Sequence, residues 1–374
     1  MPHRLASILA LVLVCVAAAV RPAAAIPVFA HQYGVTCRKC HTVIPHLTEF
    51  GAAFLAAGDR IPGVFPGPAF PLAAKVNLVA SSAYQGSGPD GQGLPKAIVD
   101  EIELFAAGAL GARGSFLVEK YAVDGGLPGR FRELWVADRV TPWSARVPVD
   151  LQAGSFTLPL PVDPETFRET YADYAIDVQT VGTNPFYFKA PMAGVRASAG
   201  NPLRGFNVQI VAAPGHDPGS GLATIGTDTM AYVQDAMGPV TASFYHYAGI
   251  RPAPGALVDN FQRTGYGLTY NQWGRWTSEA VLQTGWDSAC RAPLPGGCAS
   301  SGGFEQLRYA FGPRFFALGR YEGTYDPLAG LARDGVVLLG YGPAENARIT
   351  IEDVIAHSPS TTNTMNLQLT IGSP

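Results

Sequence analysis

The sequence predicts a mainly β chain: a transmembrane antiparallel β-barrel of about 16 strands, preceded by a small α-helical segment. Three observations predict it. From Ala73 onward, short runs alternate apolar and polar residues and are broken by Gly, Pro, Asp and Asn. About 16 such runs lie between Ala73 and Ile371, most at hairpin distances, which is numerous for one sandwich. Aromatic residues fall at run ends: Trp276 and Trp286 share a face, ten residues apart, with Ala280 and Leu282 between them. Ten residues of strand rise roughly 33 Å. At a tilt of about 40° they span roughly 25 Å along the membrane normal, the height of the apolar band between aromatic girdles.

Residues 1–25 are expected to be a secretory signal. Arg4 supplies the positive region, Leu9 to Val20 the apolar core, and Ala23-Ala24-Ala25 the cleavage site. The apolar run is too short to cross a membrane as a helix. Cys15 leaves with this segment, so the exported chain keeps Cys37, Cys40, Cys290 and Cys298. The last two close a short Pro/Gly-rich loop, where an exported protein is expected to form a structural disulfide. The 374 residues are only 15% charged, and the net charge of −3 argues against nucleic acid as a partner.

Cys37-Arg38-Lys39-Cys40-His41 spells C-x-x-C-H, the attachment signature of a c-type haem. Two thiols three positions apart each add to one vinyl group of the same porphyrin, and the following histidine becomes an axial ligand. A zinc site would need about four closing ligands, and the remaining cysteines lie far downstream without C-x-x-C spacing. A thioredoxin-like pair would need a βαβ setting, which nothing here supplies. One covalent haem c on Cys37, Cys40 and His41 is therefore the expected cofactor. Such attachment takes place outside the cytoplasm, in agreement with the signal segment. The sixth ligand is left open. His31 could fold over the iron; Met192, Met230, Met237 or His246 could enter from the wall; a five-coordinate iron is the remaining alternative. His46, beyond Pro45, cannot easily reach the opposite haem face.

Residues 26–70 form the haem segment. Leu47, Phe50, Phe54 and Leu55 follow helical spacing, with Gly58 as the stop. Thr48 and Glu49 are expected to face outward and the apolar side to pack on porphyrin. Phe29, Val35 and Val43 lie close in sequence to the attachment site, and Pro62, Pro66, Pro68 and Pro71 make a linker. So short a segment rarely builds a sufficient core alone. Residues 71–374, the barrel, are expected to supply the missing wall.

The strand pattern is clearest in five places. Val76, Leu78 and Ala80 oppose Lys75, Asn77 and Ser81; Phe206, Val208, Ile210 and Ala212 oppose Asn207 and Gln209. Tyr266, Leu268 and Tyr270 oppose Gly267, Thr269 and Asn271; Ala347, Ile349 and Ile351 oppose Arg348, Thr350 and Glu352. Met365, Leu367, Leu369 and Ile371 oppose Asn366, Gln368 and Thr370. A soluble sandwich puts the apolar face inside, whereas a barrel in lipid puts it outside. Charges on the polar face (Lys75, Glu101, Glu103, Glu279, Arg308, Arg348 and Glu352) suit a wet lumen or a solvated sheet. The expected long loops are Gln85 to Pro95, Ala213 to Thr227 and Asp287 to Gly303.

The haem segment resembles the fused cytochrome–porins of the outer membrane, best known from iron-oxidising bacteria. The residues that carry the resemblance are Pro27, Phe29, Ala30, Gln32, Gly34, Cys37, Cys40, His41, Pro45, Leu47, Thr48, Phe50, Gly51 and Phe54. Gly154 to Leu160 also looks like a strand of these porins. The chain departs from the pattern at His31, Tyr33 and Leu55, and it ends in Gly372-Ser373-Pro374 where such barrels end in an aromatic residue. The resemblance implies an exported protein of the outer membrane of a Gram-negative bacterium, embedded in its lipid. It implies electron transfer from an extracellular donor such as Fe(II) to a periplasmic cytochrome or other carrier, as in a ferrous iron oxidase. Two alternatives stand beside it: a solute porin with a haem-bearing gate or redox-sensing plug, and a soluble periplasmic haem-binding β protein. Hydrolysis has little support, since G-x-S-x-G, H-E-x-x-H and a phosphate loop are all missing.

Overall fold

A computed structural model describes residues 27–66, 72–87, 93–182, 184–185, 188, 190–216, 223–253, 257–273, 275–290, 296–357 and 360–373. The signal segment lies outside the described residues.

Sixteen antiparallel strands form one closed sheet. They are β1 (Leu72–Ser87), β2 (Gly93–Leu110), β3 (Gly114–Asp124), β4 (Phe131–Arg139), β5 (Val149–Phe156) and β6 (Met192–Gly200). Next come β7 (Gly205–His216), β8 (Ala223–Met237), β9 (Val240–Ala253), β10 (Leu257–Gln272) and β11 (Trp276–Asp287). The last are β12 (Cys298–Ala310), β13 (Phe315–Asp326), β14 (Gly330–Ala344), β15 (Ala347–His357) and β16 (Thr361–Ser373). A two-residue segment, Leu127–Pro128, extends the pairing of β3. The barrel closes where β1 pairs with β16, Val76 opposite Ile371 and Leu78 opposite Leu369.

Burial decides between the two fates of the alternating pattern. Met365 is 58% exposed, while Asn366, Gln368 and Thr370 beside it are 4–6% exposed. Phe206, Ile210, Tyr266, Leu268 and Ile351 likewise face out, and Asn207, Arg348, Thr350 and Glu352 face in. An apolar outside on a closed sheet is the surface of a barrel in lipid. Closure also removes the soluble sandwich, because among the described residues no second sheet covers that face.

The connections differ at the two ends. At one end they run from two to nine residues: 111–113, 140–148, 201–204, 238–239, 273–275, 311–314 and 345–346. Both ends of the barrel chain, Leu72 and Ser373, lie at this same end. In barrels of this kind the short-turn end is periplasmic. At the other end, parts of the connections after β1, β5, β7, β9, β11 and β15 lie outside the described residues. All three expected long loops shrink, since β1, β2, β7, β8 and β12 run into them. Cys290 and Cys298 are joined by a disulfide with Cα atoms 6.0 Å apart, closing the connection between β11 and β12.

The longest connection falls elsewhere. β5 ends at Phe156 and β6 begins at Met192, so residues 157–191 form a loop that sequence periodicity did not mark. The stretch from Gly154 to Leu160 is thus strand only to Phe156. Beyond it the Thr157 amide and hydroxyl turn onto Glu133 Oε1 at 3.0 and 2.6 Å. The loop folds inward. Leu158 and Phe188 join Trp135, Phe156, Tyr245 and Phe261 in a buried apolar cluster. The lumen is therefore apolar on one side, not polar throughout as expected.

Because the outward face meets lipid, its positions tolerate charge poorly. Leu339, 59% exposed on β14, tests this. Leu339→Arg should lower the stability of the barrel in phospholipid vesicles by about 2–4 kcal/mol, measured by denaturant titration. An unchanged midpoint would place this face in water.

A plug at the short-turn mouth and its Cys/His site

Residues 27–66 form a compact plug seated among the short turns. It contains α1 (Pro27–Tyr33), α2 (Cys37–Cys40) and α3 (Glu49–Ala56). The plug is tied to the wall all round. Gln32 Nε2 donates to the Ala107 carbonyl on β2 at 3.0 Å. The Arg60 guanidinium donates to the Gly114 carbonyl and, at 2.9 Å, to that of Gly111. Arg38 pairs with Glu345 at 3.2 Å. Val43 is buried against Ala310, Phe316, Leu318 and Leu338 of the wall. Full burial of such a side chain contributes roughly 1.5–3 kcal/mol.

Local bonds hold the cysteine turn. The Thr48 hydroxyl donates to the Lys39 carbonyl at 2.6 Å and accepts from the Gly51 amide at 3.1 Å. The Thr48 amide donates to the Cys40 carbonyl at 2.8 Å. Thr48 is thus the N-cap of α3 rather than an outward polar residue. A Cβ at Gly51 would lie 2.1 Å from the Cys40 carbonyl oxygen, so only glycine lets α3 approach this closely. Phe54 packs edge-on against Phe29 and Tyr33 of α1, at 5.1 and 5.5 Å between ring centroids. The apolar side of α3 therefore serves the plug's own core, where the sequence led us to expect porphyrin. Gly34, at φ +62°, makes the left-handed turn between α1 and α2.

Cys37 is buried, Cys40 half-buried, and neither is in a disulfide. His41 Nδ1 lies 3.0 Å from the Pro45 carbonyl. A carbonyl only accepts, so Nδ1 carries the proton and Nε2 keeps its lone pair. Burial lowers the pKa of the ring, which favours its neutral form. This is the tautomer that an iron ligand needs, with a carbonyl behind it to orient the ring. Beside His41 opens a cleft of about 540 Å³, walled by Tyr309 and Phe311 and flanked by Arg38 and Arg275. An apolar wall with cations at its edge fits a flat apolar group bearing carboxylates. The donor set of Cys37, Cys40 and His41 fits a haem c by its chemistry; of the three, only His41 lines this cleft.

The other ligand candidates scatter. His31 is exposed on α1. Met192 and Met230 are buried in the aromatic cluster inside the barrel. Met237 is 58% exposed on the outer face of β8. His246 alternates with buried Tyr245 and Tyr247 and bonds Thr264 Oγ1 at 2.9 Å on the outer face of β9. Met237 and His246 thus have the wall between them and the plug.

The plug meets the inward loop at His46. The Glu169 carboxylate is 3.8 Å from His46 Nδ1 and 2.6 Å from Arg308 Nε on β12. Burial outweighs the attraction of Glu169 and lowers the His46 pKa to about 4. The ring is neutral at pH 7, so its approach to Glu169 is a dipole contact and Arg308 is the true counter-ion. The loop is also clamped to the wall. Glu352 accepts from the Tyr171 and Ala172 amides at 2.7 and 3.0 Å, and Glu322 accepts from the Ala175 amide at 2.8 Å. Arg320 donates to Thr170 Oγ1 and to the Ala172 and Asp173 carbonyls at 2.8–3.0 Å. Sequence alone marked Arg308 and Glu352 as lumen charges. It had no signal for their partners, because the long connection carries no strand period.

No protein-family model and no curated protein sequence matches the chain. Solved porins do match in structure. An anion-selective porin from Comamonas acidovorans has 13% identity and a TM-score of 0.58, over 81% of this chain and 98% of that one. Salmonella typhi OmpF, in a complex with daunomycin, has 10% identity and a TM-score of 0.58, over 80% and 96%. The outer-membrane channel DcaP of Acinetobacter baumannii has 12% identity and a TM-score of 0.55, over 80% and 96%. At these identities the likeness is one of fold: the chain has the closed barrel of the porins.

Three outcomes follow. Gly51→Ala should push α3 off the cysteine turn, at a local cost on the order of 1–3 kcal/mol. Maleimide labelling of Cys37 and Cys40 in haem-free protein should then speed up by about tenfold; an unchanged rate would sink the packing argument. Arg308→Met leaves Glu169 buried without its cation, worth roughly 3–5 kcal/mol. Trypsin should then cut after Arg168, a bond protected in the parent protein. For His46, the unfolded chain takes its proton near pH 6.5 and the folded chain only near 4. The unfolded state therefore binds more protons in that window, and stability falls as pH drops through it. Hydrogen exchange at the Thr42 and His46 amides, corrected for intrinsic pH dependence, should accelerate from pH 6.5 to 4.5. His46→Gln should not show this.

Proposed function

We propose that this protein is an outer-membrane electron conduit, with one haem c on Cys37, Cys40 and His41 in a plug at the periplasmic mouth. The donor is extracellular, Fe(II) being the substrate of choice, and the acceptor is a periplasmic carrier. The observation that carries the reading is the His41–Pro45 bond directly beside the Cys37/Cys40 turn. A bound haem supplies one-electron redox chemistry at a potential set by its surroundings. Cys37 and Cys40 hold it covalently, and His41 presents Nε2. The Pro45 carbonyl makes that nitrogen a better donor by accepting the proton on the other side of the ring. Val43, two residues from His41, packs on Ala310, Phe316, Leu318 and Leu338 and fixes the turn to the wall. The Glu169 contact joins the plug to the loop that enters from the opposite end. The lipid-facing outside and the porin fold support the outer-membrane location.

The likeness to porins favours a second reading, a solute pore in which the plug acts as a gate or redox sensor. One pair of measurements separates the two. Oxidised holoprotein in detergent is mixed with Fe(II) at mildly acidic and neutral pH, and the reduced α-band is followed by stopped flow. Rapid reduction, absent from Cys37→Ala/Cys40→Ala, is the expected result. A haem that dithionite reduces but Fe(II) does not would remove iron as the donor. Planar bilayers should show a closed lumen; steady conductance through the intact protein would favour the pore.

A further inference from the structure

The mouth that carries the plug is strongly cationic. Arg38 and Lys39, between the two cysteines, are exposed. The short connections around them add Arg113, Arg146, Arg204, Arg275 and Arg314, all exposed. Carboxylates are few here. Glu49 is matched by Arg204 at 3.6 Å and Glu345 by Arg38 at 3.2 Å. Among the described residues, Lys39, Arg113, Arg146, Arg275 and Arg314 form no salt bridge. Asp138 and Asp235 are exposed, but on the outer faces of β4 and β8.

Between these cations lies a hollow of about 990 Å³, with Phe50, Ala53 and Ile61 of the plug facing Pro202, Leu203 and Trp273 of the turns. An apolar floor inside a charged rim is the anatomy of a protein interface. Lipid head groups meet the outside of the barrel, whereas Arg38 and Lys39 sit on the plug, encircled by the wall. Cations in that position are presented to a soluble partner. Interspersed charges of one sign steer an oppositely charged partner and set its orientation more than its affinity.

We propose that this mouth is the docking face for a soluble electron-carrier protein whose own redox centre is ringed by acidic residues. This rests on the electron-conduit reading and adds the partner's charge and the surface it uses. The partner's rim meets Lys39, Arg113, Arg146 and Arg314, and its centre faces the C-x-x-C-H turn.

The test uses detergent-solubilised holoprotein on a sensor surface, after its covalent haem has been verified by mass. The probes are an acidic plant-type ferredoxin and a basic mitochondrial cytochrome c. The ferredoxin should bind, with an affinity that falls steeply between low and physiological salt, and the cytochrome should not. Lys39→Glu/Arg113→Glu/Arg314→Glu, checked for haem content and heat-modifiable gel mobility, should weaken ferredoxin binding at low salt by about tenfold or more. In stopped flow, the same variant should slow oxidation of the dithionite-reduced haem by hexacyanoferrate(III), which takes one electron and becomes hexacyanoferrate(II). Equal binding of both probes, or a variant that matches the parent, would overturn the docking face and leave the conduit standing. So would a variant that loses only its binding to phosphatidylglycerol vesicles, which would make the cations a lipid contact. Purified protein without covalent haem would remove the conduit reading itself, and the docking proposal with it.

Discussion

The structure depends on one constraint: in lipid, every backbone N–H and C=O of the spanning segments must find its partner within the protein. The chain meets it by closing the sheet, with β1 bonded to both β2 and β16. Closure sets the rest. One side of every strand faces lipid and must be apolar; the other faces inward and is spared lipid altogether. That freedom of the inner side is what admits the buried Arg308, Arg320, Glu322 and Glu352.

Buried charges are costly unless they are paired and hydrogen-bonded. Here part of the pairing lies within the wall, as between Arg320 and Glu322 at 3.1 Å, and part is supplied from outside the strands. The loop of residues 157–191 brings Glu169 to Arg308, and it lays the backbone amides of Tyr171, Ala172 and Ala175 on Glu352 and Glu322. The plug enters from the other end and uses different chemistry. Val43 and Val28 pack on apolar inward positions of the wall, and Gln32 and Arg60 bond to strand and turn carbonyls. The two inserts meet at Glu169 and His46. The barrel is therefore a container whose contents partner many of its inward charges, and the Cys/His turn is held where plug, wall and mouth converge.

The residues of the plug's sequence pattern acquire distinct physical roles. Pro45 supplies the carbonyl that sets the His41 tautomer. Thr48 caps α3 while bonding the cysteine turn. Gly51 allows close approach, Gly34 turns the chain, Phe54 joins α3 to α1, and Gln32 fastens α1 to β2. On α3, Phe54 is taken up by the plug's own core, while Phe50 lines the hollow at the mouth. Tyr309 and Phe311 wall the cleft beside His41.

Much of this is legible in the sequence. A strand's period of two is local, so Met365 to Ile371 and Phe206 to Ala212 announced their two faces. C-x-x-C-H is local too, since its chemistry needs only adjacent residues. The spacing of Cys290 and Cys298 likewise pointed to a pairing across one connection. Three things were not legible. Which face of the strands meets lipid depends on closure, a property of the whole sheet. The inward path of residues 157–191 depends on lumen charges, such as Arg308, that come from strands distant in sequence. The places of His46, Met237 and His246 depend on which side of the wall each falls. Sequence determined the elements and the attachment motif, because both are set by near neighbours. Only tertiary structure decided inside from outside, and the contacts of plug, loop and wall, because those are set by residues distant in sequence, 139 positions apart for Glu169 and Arg308.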